Sequence, residues 1–439
     1  MASPNLFDLR RIHMRSKKSF SISTLVSALT MFALTVLLTA SAAAQAEKVL
    51  HSFNDNGTDG VDLVSALIFD KTGNLYGTTI FGGTHASGTA FEILAAAGGG
   101  TTEKILYNFG ASGSDGTAPN PGLIAGPGGR LYGVTTSGGT HNVGTVFALI
   151  PHSGGSWTEA VLYNFAGGLT DGAAPVGGLV IDASGNLYGT TANGGSVGAG
   201  TVFELSPPVS GGKWTETLLH IFLDNSTDGG YPQGSLAFDA AGNLYGTTNV
   251  GGNSGNCSPG CGTVFQLTPA SGEWTETVIY NFTTANDGFF PISGLTFDTK
   301  GNLYGATTQG AFAGIFTTGA VFELSPAGGD VWNESIIYPF GNNADGASPA
   351  YGAPVFDADG NLYLTTTAGG TDNVGTVFEL SPRAGGTWEQ RVLHSFTNTG
   401  TDGQNPWSSL VLDTHGKLYG TTLNGGANCN CGTVFVVKP

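Results

Sequence analysis

Charge is scarce in this sequence. Only 11% of its 439 residues are Asp, Glu, Lys or Arg, and Lys plus Arg number 15 against 32 acids. Five of the cations (Arg10, Arg11, Arg15, Lys17 and Lys18) fall in the first 18 residues beside one acid, Asp8. Ten cations and 31 acids remain from residue 47 onward. Such a surface cannot assemble a phosphate-neutralising patch, so nucleic acid is excluded as a partner, and anionic membrane surfaces with it. Heptads are absent, which excludes a coiled coil. The 72 glycines never fall into a G-X-Y period, which excludes collagen. No stretch of useful length has helical period, and no second long apolar run follows residue 40. What remains is 40% apolar residues, enough for a substantial core.

The first 46 residues form an address. Residues 10–18 are basic, residues 22–40 are apolar and uncharged, and Ser41-Ala42-Ala43-Ala44-Gln45-Ala46 supplies an A-x-A pattern before Glu47. This is the pattern of a secretory signal peptide, with Met14 a better-placed start than Met1. Cleavage there leaves a single domain, 47–439, with no membrane span, and the expected location is extracellular, periplasmic or at the cell surface. Uncleaved, the 19 apolar residues would just span a bilayer.

The remainder is one unit repeated seven times. Leu-Tyr recurs at Tyr76, Tyr132, Tyr188, Tyr245, Tyr304, Tyr363 and Tyr419, at intervals of 56 to 59 residues. An Asp-Gly pair precedes each, and a segment ending in Phe91, Phe147, Phe203, Phe265, Phe322, Phe378 or Phe435 follows. Each unit reads as four short strands rich in β-branched and aromatic residues, separated by Gly, Asn, Asp and Pro. In the third unit these are a (178–182), b (186–191), c (201–205) and d (216–222). Four antiparallel strands taken seven times predict an all-β, seven-bladed propeller. Strands a, b and c occur seven times after Leu63, but d occurs only six. The seventh d is 48–53, so the N-terminal strand should complete the last blade and close the ring, leaving no open edge.

The Asp-Gly, Gly-Asn-Leu-Tyr-Gly-Thr-Thr and Gly-Gly…Gly-Thr-Val-Phe segments resemble the GloVer tandem-repeat family of secreted bacterial proteins over about residues 48–439. The a–b segment is more loosely similar to NHL-type propeller repeats. The resemblance implies a repeat architecture and brings no activity with it.

Residues present in every unit report mostly on folding. The a–b turns (Asp182 to Asn186 and its copies) are Asx-type turns with glycine at positive φ. Strand d carries Tyr or His at one register (His51, Tyr107, Tyr163, His220, Tyr280, Tyr338, His394), and these are expected to pack with a polar tip. The d–a and b–c loops should share one end of the propeller. Seven acids, Asp59, Asp115, Asp171, Asp228, Asp287, Asp345 and Asp402, would then ring one mouth, as turn-makers or as a cation or sugar-hydroxyl site. Asp224, Ser226 and Asp228 have the opening spacing of a calcium loop, but Ser235 stands where its closing acid belongs. No other cofactor is indicated.

Departures from the repeat are where a single ligand would bind. The b–c loops of units 4 and 5 are long, and that of unit 5 holds Phe312, Ile315 and Phe316. Phe289 and Phe290, Tyr231 and Trp407 lie in d–a loops. Apolar side chains exposed at one end suggest a ligand or partner patch, or else a plug in the channel mouth. All four cysteines are in b–c loops and suggest the disulfides Cys257–Cys261 and Cys429–Cys431. His85 and His141 occupy matching positions and, with Asp59 and Asp115, are weak metal candidates. The expectation is a secreted, monomeric, non-catalytic propeller that binds carbohydrate or a protein through this face. The rival is a hydrolase or lyase with acids and histidines at the same mouth.

Overall fold

The computed structural model describes residues 47–95, 100–255, 257–283, 286–310, 318–329, 331–341, 344–349 and 351–439. Residues 1–46, read above as a signal peptide, lie outside them. The described chain is a seven-bladed β-propeller of mostly four-stranded antiparallel sheets. In blade 3 the strands are a (Val180–Ile181), b (Leu187–Gly194), c (Thr201–Ser206) and d (Thr215–Ile221), in that order across the sheet. Strand a is shorter than the sequence predicts because its first residues turn to the next blade: the Gly178 amide donates to Ser235 Oγ at 3.0 Å. Strand b is longer because its end pairs with Gly172–Pro175 of the incoming d–a loop.

Blade 7 is built from both ends of the sequence. Its sheet runs Lys48–Ser52, Thr433–Val437, Leu418–Thr422, Val411–Leu412. Lys48 stands opposite Val436 and Ser52 opposite Thr433, antiparallel. The closure expected from the strand count is therefore formed.

The core lies between blades. Each buried apolar cluster joins one blade to the next, including Phe53, Cys431 and Val434 of blade 7 with Leu63, Leu67, Leu75 and Phe91 of blade 1. The repeated phenylalanines organise it. The Phe that follows each d strand meets the strand c Phe of the next blade edge to face, from Phe109–Phe147 (centroids 4.9 Å apart) around to Phe396–Phe435 and Phe53–Phe91. All are fully buried. In the six blades that carry Leu-Tyr-Gly (blade 6 has Leu364 here) the tip of the strand c ring abuts this glycine, so that a Cβ on Gly189 would come within 2.7 Å of Phe203. That contact explains a glycine in mid-strand, where it is otherwise unfavourable. The Thr three residues after the Tyr of each Leu-Tyr pair is buried and shares a hydrogen bond of 2.8–3.0 Å with the Thr opening strand c in six blades. Near the axis, Thr421 of blade 7 donates to the Ser65 carbonyl of blade 1 at 2.9 Å.

Burying a Phe is worth about 1.5–3 kcal/mol, and an edge-to-face partner adds about 0.5–1.5. Phe53→Ala removes one interface contact at the closing blade and should destabilise the protein by about 3–5 kcal/mol, measured by chemical denaturation. A change below about 1 kcal/mol would mean that the N-terminal strand does not hold the ring shut.

Candidate functional site

On one end of the propeller each d–a loop pairs with the b–c loop of its own blade. Gly60–Val61 pairs with Phe81–Gly82 in blade 1, and Gly403–Gln404 with Asn424–Gly425 in blade 7. The two loop sets thus share a face, as expected. The Asp of each Asp-Gly is drawn into this pairing. Asp171 accepts from the amides of Ala166 (2.6 Å) and Gly172 (2.6 Å) and from the Tyr163 hydroxyl (3.1 Å). Asp228 engages the Leu223 and Gly229 amides and His220 Nε2, at 2.9, 2.7 and 3.1 Å. Asp59, Asp115, Asp171, Asp228 and Asp287 are buried, with Asp345 and Asp402 half-buried. Their carboxylates serve the turn rather than an open mouth. The Tyr and His residues of strand d pack as expected, edge to face on the Phe two residues on, and their polar tips are the partners of these Asp residues in six blades.

A third member of this niche comes from the next blade. Strand d carries a Glu four residues before its Tyr or His: Glu47, Glu103, Glu159, Glu216, Glu276 and Glu334, with Gln390 in blade 6. Each Glu faces the Asp of the loop entering its own blade. Burial, and next the nearby carboxylate of Asp115, pushes Glu159 up to about 7. Glu216 is held at about 7 in the same way by burial and Asp171. Burial and neighbouring carboxylates also push the hydroxyls of Tyr107 and Tyr163 well above their ordinary value, so both stay protonated donors. In three niches a His replaces the Tyr, giving His51–Asp59–Glu103, His220–Asp228–Glu276 and His394–Asp402–Glu47, with one ligand atom from each member within 4.8 Å of the others.

The residues singled out from the sequence are placed as follows. Cys257–Cys261 and Cys429–Cys431 are both bonded. Phe289 is 4% exposed, not a surface residue. Its backbone pairs with Gln309, and its ring packs with Cys261 and Phe282 at the blade 4–5 interface. Phe290 is half-buried against the same cluster, which corrects the expected exposed patch at this pair. Phe312, Ile315 and Phe316 lie outside the described residues. Tyr231 is half-buried beside Ala199, whose carbonyl accepts its amide at 2.7 Å. His85 and His141 are exposed, each with Nδ1 on the preceding Thr hydroxyl, and neither joins Asp59 or Asp115. The histidine beside Asp59 is His51 instead.

Trp407 lines the central channel. It stacks on Tyr351, centroids 4.9 Å apart and planes 19° from parallel. Together they border a cavity of 440 Å³ at the axis, formed by residues that lead into and begin strand a, with Ile80 just after strand b of blade 1 and Ala192 within strand b of blade 3. Val64, Leu123 and Val176 give it apolar walls, while Asn120, Gln233, Ser235, Ser408 and Ser409 supply polar groups. No Asp, Glu, Lys, Arg or His lines it among the described residues.

Two outcomes test these assignments. Phe289→Ser should cost about 3–5 kcal/mol on denaturation, as for a core Phe, whereas a surface Phe would cost under about 0.5. For Glu159 the sign follows from its raised folded value. The unfolded chain releases this proton near the ordinary 4.5, the folded chain only near 7. Stability from this group is therefore complete below about pH 4.5 and is lost as pH rises to about 7. The melting temperature should fall across that window, and Glu159→Gln should reduce the fall. An unchanged slope would contradict the assignment.

The fold recurs among solved structures. The extracellular domain of a one-component system from B. thetaiotaomicron superposes with a TM-score of 0.53 at 13% identity, over 90% of this chain and 42% of the other. This chain therefore spans less than half the length of that relative. The periplasmic gluconolactonase of Pseudomonas aeruginosa superposes with a TM-score of 0.50 at 14% identity, over 83% of this chain and 96% of the other. At such identity both share the fold alone. No curated protein matches the sequence. The Gloeobacter/Verrucomicrobia repeat matches residues 30–258, 159–349 and 311–439, in agreement with the linked Asp-Gly, Leu-Tyr-Gly-Thr-Thr and Gly-Thr-Val-Phe segments, and the chain belongs to that repeat family.

Proposed function

We propose that this propeller is an exported, non-catalytic binding module that takes a carbohydrate at the mouth of its central channel. The observation that carries the reading is the cavity itself. Its 440 Å³ lies within the range of small-molecule sites, about 300–1,000 Å³. Its lining combines apolar walls, an aromatic pair and neutral hydrogen-bonding groups, with no ionic side chain among the described residues. Sugars present both apolar faces and hydroxyls, so an aromatic ring together with Ser, Asn and Gln suits them. The repeat carboxylates are committed to backbone amides and to Tyr or His, and none borders the cavity, so acid–base hydrolysis has no carboxylate to use there. Export rests on the basic segment 10–18, the apolar segment 22–40 and the small residues before Glu47. An extracellular and a periplasmic propeller among the fold's neighbours accord with it.

The test is titration of a panel of neutral mono- and oligosaccharides, followed by calorimetry and by tryptophan fluorescence. At least one sugar should bind, and Trp407→Ala should weaken it at least tenfold, or about 1.4 kcal/mol, with the denaturation midpoint little changed. Binding unaffected by Trp407→Ala, or no binding across the panel, would overturn the reading.

A further inference from the structure

The seven niches between blades are alike in position and unlike in chemistry. In four of them a Tyr hydroxyl donates to the Asp, at 2.9 Å for Tyr107, 3.1 Å for Tyr163, 3.1 Å for Tyr280 and 2.6 Å for Tyr338. In two a His does the same, His220 with Asp228 at 3.1 Å and His394 with Asp402 at 3.3 Å. At the seam between blades 7 and 1 the pairing is open. His51 Nε2 stands 3.7 Å from Asp59 Oδ2, beyond a hydrogen bond. It is buried and, alone among the strand d Tyr and His tips, has no partner; Glu103 Oε1, beside it, is buried without a partner, as is the matching oxygen of the other strand d Glu residues. Asp59 meanwhile is held in place by the amides of Asn54 (3.0 Å) and Gly60 (2.7 Å).

Two orphaned polar atoms facing one fixed carboxylate call for a shared partner, since a buried polar atom left unpaired is costly. A single water could join two of these atoms, but an imidazole nitrogen between two carboxylates is a donor set for a cation. We propose that His51, Asp59 and Glu103 form a binding site for a divalent transition-metal ion of the zinc class. Imidazole with carboxylates favours zinc over calcium, which takes oxygen ligands. Ligand atoms around a tetrahedral zinc stand roughly 3.4 Å apart for bonds of about 2.0–2.1 Å. The three atoms here lie within 4.8 Å of one another, so rotation of the side chains suffices to close on an ion. Two carboxylates balance the charge of the ion, and three protein ligands leave a fourth position for solvent. His51 is 23% and Asp59 11% exposed in the side chain, which provides an entry path from the outer edge of the blades. Such an ion would join the N-terminal strand (His51) to the d–a loop and strand d of blade 1, across the seam where the ring is closed. This inference does not depend on the carbohydrate reading.

The experiment is titration of the metal-free protein with zinc chloride by calorimetry, with cobalt(II) absorption as a readout of coordination. The sequence itself supplies conservative variants. His51→Tyr installs the residue found in four sister niches, and Glu103→Gln copies Gln390 of blade 6. The wild type should bind zinc and give a four-coordinate cobalt spectrum. Each variant should weaken binding at least tenfold while keeping its melting temperature in chelator, and His220→Tyr combined with His394→Tyr should leave the site intact. If His51→Tyr fails to fold, Glu103→Gln decides. Absence of zinc binding, full binding by His51→Tyr or Glu103→Gln, or loss of binding only in the His220/His394 variant would each overturn the proposal.

Discussion

The structure depends on one constraint: a blade has too little sheet to bury its own apolar residues and must bury them against its neighbour. The edge-to-face phenylalanine pairs, one member on each blade, are that requirement in its most compact form. The glycine of Leu-Tyr-Gly follows from it, because the strand c ring occupies the space its Cβ would need. Closure follows as well. A linear array would leave one phenylalanine at each end without a partner and two sheet edges unpaired. The sequence avoids both by splitting blade 7, so that Phe53 at the front of the domain packs on Phe91 while Lys48–Ser52 pairs with Thr433–Val437 at the back.

Within this frame, repetition and departure from it have different consequences. The Asp of Asp-Gly recurs because each blade needs its loop amides satisfied, and the Glu of strand d recurs beside it at the cost of a carboxyl pair that holds its proton up to about pH 7. Chemistry enters where the pattern changes. Tyr351 and Trp407 sit in the loops of two successive blades and make a stacked pair that no other blades reproduce among the described residues. His51 differs from its counterparts in making no hydrogen bond to its Asp, 3.7 Å away.

The fold was legible in the sequence because its determinants are short, local and repeated: Leu75-Tyr76, Asp59-Gly60 and Phe91 recur in order at a nearly constant interval. Counting strand d was enough to find the closing strand. The niches were harder to see. Glu103 is four residues from Tyr107 in the sequence but faces His51, and only the assembled ring shows that partners come from successive blades. The spacing from Glu to Tyr or His was visible, though its meaning was not. Phe289 departs from the rule that loop residues are exposed: its backbone extends the sheet through Gln309, and the ring is carried inward into the cluster that holds Cys261. The cavity was not foreseen because its walls come from residues before strand a in six blades, a set with no common motif.

The central claim is that the ring is a single cooperative unit locked by its N-terminal strand. Native-state hydrogen exchange on the folded protein tests it most directly, because amides that open only on global unfolding report the full stability while frayed ends report almost none. The amides of Lys48–Ser52 that pair with Thr433–Val437 should exchange as slowly as those of Thr201–Ser206 in blade 3. Exchange at the rate of an unprotected chain end would show that the strand is an appendage and the ring is closed by something else.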